Sequence, residues 1–206
     1  MKKLTRTLWA GLVLSMAACD GDATGTAGGD AQMQVAARGD DAPAAQSVSP
    51  ARDGGSYSHG TAQGTIDFRA RVYVHSSTRG WVEVTNAAAS TARVAASGHG
   101  EAVAFASGRV NADSYNRVRV VFEHVDANLS AGLQISSGVL IGTVSVNLES
   151  DQQVVVEREV NVSARSGAAS RIVINLNADA WLNSANAETR TVSETEFRNA
   201  VRITAQ

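Results

Sequence analysis

Ile66-Asp67-Phe68-Arg69-Ala70-Arg71-Val72-Tyr73-Val74 decides the fold of this chain. Apolar residues at 66, 68, 70, 72 and 74 alternate with polar or ring-hydroxyl residues at 67, 69, 71 and 73. Successive side chains of a strand project to opposite faces, so a strict period of two reads as a strand with one face in a core and one in water. A helix would instead repeat its apolar positions every three or four residues.

Working outward, Trp81 to Thr85 and Thr91 to Ala96 read as further short strands. Glu101 to Ser107 follows, with Val103 and Phe105 on one face, and Asn111-Ala112-Asp113-Ser114 reads as a turn. Tyr115 to Val125 sets Val118, Val120 and Phe122 against Arg117, Arg119 and Glu123. Val139 to Leu148 carries Gly142 as a candidate bulge. Gln153 to Ala164 and Arg171 to Asn177 are separated by a Ser166-Gly167 turn. No helix-length pattern falls between these strands, which argues against βαβ units. The expectation is an all-β chain, with a single β-sandwich of about eight strands over residues 64–206. Ser193-x-x-Glu196, with Phe197 and Val201 after it, is a capping box and predicts one short C-terminal helix at about 194–201. Trp181 is expected to seal one end of the sandwich.

The N-terminal part is of a different kind. Lys2, Lys3 and Arg6 precede an apolar run from Leu8 to Ala18. A bilayer-spanning helix needs roughly twenty residues, so this run fits the core of a signal peptide instead. It ends in Leu14-Ser15-Met16-Ala17-Ala18-Cys19, and Cys19 is the only cysteine of the chain. That segment resembles the lipobox of bacterial lipoproteins, which more often carry leucine where Met16 stands. The resemblance implies a signal peptide at 1–18, diacylation of the Cys19 thiol and Cys19 as the first mature residue. Two acyl chains hold a protein stably on a membrane, where one does not. The expected location is the cell envelope, lipid-anchored and facing the periplasm or the exterior. An ordinary secretory signal with a chance cysteine is the alternative. A lone cysteine leaves no disulfide framework and no thiolate metal site in the mature chain.

Residues 19–63 are read as the lipidated cysteine and a flexible linker. Asp20-Gly21-Asp22-Ala23-Thr24-Gly25, Gly28-Gly29-Asp30 and both prolines, Pro43 and Pro50, lie there. As a coil, the roughly 44 residues from 20 to 63 would span about 36 Å r.m.s.. The calcium-loop-like start at Asp20 meets Ala31 where a bidentate glutamate is needed, so it reads as a solvated tether. Arg38-Gly39-Asp40 spells an integrin-type tripeptide and is read as chance.

Past the leader, fifteen arginines and no lysine stand against twenty acidic residues. Without a net basic field, nucleic acid is excluded as the expected partner. His59, His75, His99 and His124 show no metal-ligand spacing, so neither metal nor cofactor is expected. Gly-x-Ser-x-Gly, His-Glu-x-x-His and phosphate-loop patterns are missing from the sequence, and the chain is read as non-enzymatic. Glu157 and Glu159 read as cross-strand partners for arginines rather than an acid/base pair.

One surface constellation stands out. Arg69, Arg71 and Tyr73 share the polar face of one strand, and Arg117 and Arg119 share a face of another. If the strands are neighbours, that face offers forked guanidinium donors and a ring for carboxylated sugars or lipid phosphates. The competing reading is a solvated face, charge-paired with Glu83, Glu123 and Glu157. Trp81 reads as a core-edge residue, with a sugar-stacking platform as the alternative. Ser114-Tyr115-Asn116-Arg117-Val118-Arg119-Val120 and Arg171-Ile172-Val173-Ile174-Asn175-Leu176-Asn177 resemble elements of uncharacterised bacterial lipoprotein domains with a prealbumin-like or carbohydrate-binding-like sandwich. That resemblance implies a fold and carries no activity. The resulting expectation is a binding or structural module, with envelope polysaccharide or an envelope protein as partner. An accessory subunit of an envelope membrane complex is the alternative, and a hydrolase assembled from distant residues stands third.

Overall fold

The alternation at 66–74 becomes the middle of a 14-residue strand that runs from Gln63 to Ser76. In the computed structural model, residues 29–39, 56–57, 63–96, 101–131, 133–134, 144–149, 152–182, 184–186 and 189–206 are described. They form β1 (Asp30–Arg38), β2 (Ser56–Tyr57), β3 (Gln63–Ser76), β4 (Gly80–Glu83), β5 (Ser90–Ala95), β6 (Val103–Asn111), β7 (Asp113–Ala131), β8 (Leu133–Gln134), β9 (Val144–Leu148), β10 (Val154–Ala164), β11 (Ala169–Asn175), β12 (Thr191–Val192) and β13 (Arg202–Ala205). Two short helices, α1 (Ala178–Leu182) and α2 (Glu194–Ala200), lie near the C-terminus. The all-β class is as expected. The strand count is higher: eleven strands, β3 to β13, are described over the region where about eight are read from the sequence, and β1 and β2 precede them.

β3 and β7 are the spine of the larger, seven-stranded sheet, paired antiparallel from His75–Arg117 to Gln63–Ala131. Both are too long for a single short neighbour, so each outer edge takes two. β10 pairs with the first half of β7 and β9 with the second half. β4 covers the Tyr73–Ser76 end of β3 and β5 covers Thr65–Ala70. The smaller sheet has the order β13-β11-β1-β6, with β1 parallel to β11 and antiparallel to β6. β2 and β8 pair separately.

Both sheets feed one core. Met33 and Val35 from β1 join Phe68 and Val72 from β3 and Val120 and Phe122 from β7 in a single buried cluster. Aromatics link across it edge to face: Phe105 to Phe68 at 5.3 Å, Phe68 to Phe122 at 5.7 Å, Phe122 to Phe197 at 5.1 Å and Phe197 to Trp181 at 5.5 Å. Such T-shaped contacts set the positive ring edge against the negative face. Trp181 is thus buried, as expected, where both helices pack.

The linker assignment needs correction. Residues 30–38 are a central strand, hydrogen-bonded on both edges, with Met33, Val35, Ala36 and Ala37 fully buried. Ala31, Met33 and Val35 alternate with Asp30, Gln32 and Gln34, a period-two signal set within Gly- and Asp-rich surroundings that read as linker. Arg38 and Gly39 therefore close a strand. The leader, Cys19, Asp40, the prolines, His59, His99 and Gly142 lie outside the described residues.

The turn expected at 111–114 is also different. Ala112 alone separates β6 from β7, and the chain passes there from the small sheet to the large one. Val103 and Phe105, read on one strand face, differ in burial: Phe105 packs against the core while Val103 is 45% exposed. A second junction between the sheets is at Gly108, where an added Cβ would stand 2.1 Å from the Val84 carbonyl oxygen.

α2 forms where the capping box predicts it. Ser193 Oγ accepts from the Glu196 amide at 3.3 Å and donates to the Glu196 carboxylate at 3.0 Å. At the other end Arg158 donates to the carbonyls of Arg198 and Val201, at 2.5 and 3.0 Å. A guanidinium there satisfies orphan carbonyls and meets the negative end of the helix dipole. Among the described residues no helix is long and apolar enough to cross a membrane.

Candidate functional site

The strands that carry the candidate arginines are hydrogen-bonded neighbours, and their odd-numbered residues share the outer face of the large sheet. Glu83, Tyr73, Arg119 and Glu157 stand in register across β4, β3, β7 and β10. Trp81, His75, Arg117 and Glu159 form the next rung. The two sets of residues singled out in sequence are therefore one ladder.

Its interactions are specific. Glu157 accepts from Arg117 Nη1 at 3.1 Å through Oε1, and from Arg119 Nη2 at 3.0 Å through Oε2. The Arg119 guanidinium carbon lies 4.0 Å from the Trp81 ring centroid, and that of Arg117 lies at 5.4 Å. His75 meets the same indole edge to face at 5.0 Å, and its Nδ1 lies 3.2 Å from Asn116 Oδ1. Trp81 is thus a half-buried residue of the outer face and not a core-edge residue. Arg119 covers one face of that ring.

Arg69 and Arg71 extend the face in the other direction and converge on Glu123, at 2.9 and 3.0 Å. The Arg71 guanidinium is pushed above its ordinary value, first by its hydrogen bond to the Tyr73 side chain and then by Glu123. Of the six candidates, Tyr73, Trp81, Arg117 and Arg119 form one cluster, and Arg69 and Arg71 a second beside it. His75 was missed as a member. Its place in the same odd-numbered series as Arg69, Arg71 and Tyr73 was the available signal.

Beyond Glu123 the face opens into a groove of about 970 Å³, lined among others by Asp67, Arg93, His124, Asp126 and Asn147. Its carboxylates are also partnered: Arg93 Nε donates to Asp67 at 2.6 Å, and Asp126 accepts from the neutral Ser145 Oγ at 2.6 Å and Asn128 at 3.1 Å. The groove sits where β7 has lost β10, after Phe122, and has not yet gained β9, at Asp126. There Glu123 is the extra residue of a bulge, which flips the later β7 side chains from odd to even outward positions.

Chemically, this face is a set of closed ion pairs. Glu157 and Glu123 each engage two guanidinium groups, so an anionic ligand would compete with these carboxylates for the arginines. Among the described residues, no group of three or more His, Cys, Asp or Glu side chains is placed to hold a metal ion. No protein-family model, curated protein or solved structure matches the chain.

Proposed function

We propose that this protein is a lipid-anchored module of the cell envelope that acts by binding or by structure and not by catalysis. The observation that carries the reading is Cys19, placed directly after a charged and then apolar leader and alone of its kind in the chain. The ladder supports a structural role: Arg117 and Arg119 are ion-paired to Glu157 on the neighbouring strand, which ties the strands of the sheet together. In finer detail we read the two sheets and their shared core as a sandwich of the Ig-like or prealbumin-like kind. The partner on this reading is envelope polysaccharide or another envelope protein. The test is crosslinking in intact cells together with pull-down on cell-wall fractions, using the full lipidated chain. Capture of a glycan fraction or a defined envelope protein is expected. Capture of neither contradicts a binding role.

An accessory-subunit role is the second reading. β6 lies at the edge of the small sheet and exposes Val103, and an edge strand is a template for strand addition by a partner. A membrane protein that co-purifies stoichiometrically favours this reading over glycan binding.

A further inference from the structure

The position of β1 changes how a lipid at Cys19 would hold the domain. Only residues 20–29 separate Cys19 from Asp30, where the central strand of the small sheet begins. Eleven Cα steps reach at most about 40 Å when fully extended. That is about a quarter of the contour length that a linker running to residue 63 would allow. The start of β1 is therefore confined near the membrane surface, and the other end of the strand lies about 26 Å further along.

The confined end is built from identifiable groups. Gly29 accepts from the Ala112 amide at 2.8 Å, and Asp30 accepts from the Gly167 amide at 3.4 Å. Three arginines surround this point. Arg109 is 83% exposed and stands 4.0 Å from Asp30. Arg79 stands 3.9 Å from Asp113, which follows Ala112 directly. Arg165 is exposed and begins the turn that contains Gly167. The ladder arginines, by contrast, meet their carboxylates at 2.9–3.1 Å. Arg109 and Arg79 are loosely held by Asp30 and Asp113, and Arg165 stands on the neighbouring turn.

We infer that the end of the domain where β1 begins rests on anionic phospholipid headgroups, with Arg79, Arg109 and Arg165 engaging their phosphates. The inference rests on the lipid-anchor reading and adds an orientation to it. Guanidinium groups match phosphate bidentately, and basic residues held within a Debye length of an anionic surface are attracted to it. The outer face of the large sheet, with the ladder and the groove, then stands at the side of the tethered domain, accessible to a partner.

The test uses the processed protein in vesicles that contain anionic phospholipid and a headgroup-linked nitroxide quencher. A maleimide fluorophore is placed at Ser166→Cys, at the confined end, or at Glu101→Cys, beyond the far end of β1. Strong quenching at position 166, little at 101, and loss of that contrast in Arg79→Ser/Arg109→Ser/Arg165→Ser or at high salt are the expected results. Equal quenching at the two positions, or none at either, overturns the orientation. A contrast that survives the triple substitution overturns the arginine contacts. Reaction of the fluorophore with Cys19 itself shows an unacylated thiol and removes the anchor reading, an outcome separable from the others.

Discussion

Arg119 sits over Trp81, its guanidinium carbon 4.0 Å from the ring centroid, while the same group donates to Glu157 at 3.0 Å. Tryptophan is the strongest aromatic partner for a cation, and a half-exposed contact contributes on the order of 0.5–1 kcal/mol. A double-mutant cycle of Trp81→Leu and Arg119→Gln, read by urea unfolding, is expected to give a coupling of about that size. Additive effects would mean that the stack does not stabilise the sheet.

Glu157 is the shared partner of two arginines, so Glu157→Gln leaves both Arg117 and Arg119 without their carboxylate. All three side chains are 34–39% exposed, and solvent screens such pairs. The expected loss is therefore at most about 1 kcal/mol, shrinking as salt is raised. If the ladder is an anion site, the same substitution tightens binding of a carboxylated sugar, which calorimetry would detect.

Arg158→Met is expected to cost more than either ladder change. Its guanidinium, lowered from its ordinary value by burial and secondarily by Arg202, is half-buried and donates to two carbonyls at the end of α2. Leaving those carbonyls unpartnered costs about 1–3 kcal/mol. Hydrogen exchange over Phe197 to Val201 should accelerate selectively. Global destabilisation with no local change in exchange would argue against a capping role.

Asp113 sets an acid limb for stability. Its carboxyl is held below the ordinary value of 3.8, first by the hydrogen bond from Thr78 Oγ1, then by Ser76 and the Ser114 amide. The folded state therefore favours the carboxylate more than the unfolded state does. Its contribution is full above the unfolded value and is lost as pH falls through the lower folded value. Asp113→Asn should flatten the dependence of stability on pH below about 4, a range set by unperturbed carboxylates. An unchanged acid limb would show that Asp113 does not contribute to it.

The corrected domain boundary makes a direct prediction. A fragment of residues 64–206 lacks β1 and leaves β11 and β6 with unpaired inner edges. Unpaired edges over an open core aggregate. Circular dichroism and size exclusion should find 29–206 folded and monodisperse and 64–206 unfolded or aggregated. A cooperative thermal transition in 64–206 would refute the central role of β1.

Much of this architecture was legible in sequence, for reasons that differ by element. β3 and β10 have one wet face and one dry face, so their alternation is strong and their extents are legible to within a few residues. β7 instead runs on to Ala131, six residues past the Val125 read from the sequence, beyond the bulge at Glu123 that reverses its parity. β1 carries the same alternation from the small Ala31 to Val35, inside a Gly- and Asp-rich setting, and composition outweighs pattern. β13 and α1 are too short, at four and five residues, to show a period. The ladder was half legible. Parity put Arg69, Arg71 and Tyr73 on one face and Arg117 and Arg119 on another, but only strand order and register could join the faces. The choice of Glu157 over Glu159 as the shared acceptor depends on side-chain reach and not on sequence spacing.

The most direct test of the envelope-anchor reading is acylation at Cys19. Cells that express the full chain are grown with labelled palmitate, and the mature protein and its Cys19→Ser variant are followed through membrane fractionation. Label on the native protein, none on the variant, and release of the variant from the membrane fraction are the expected results. An unlabelled native protein, or a variant that stays membrane-bound, would contradict a lipid anchor at this residue.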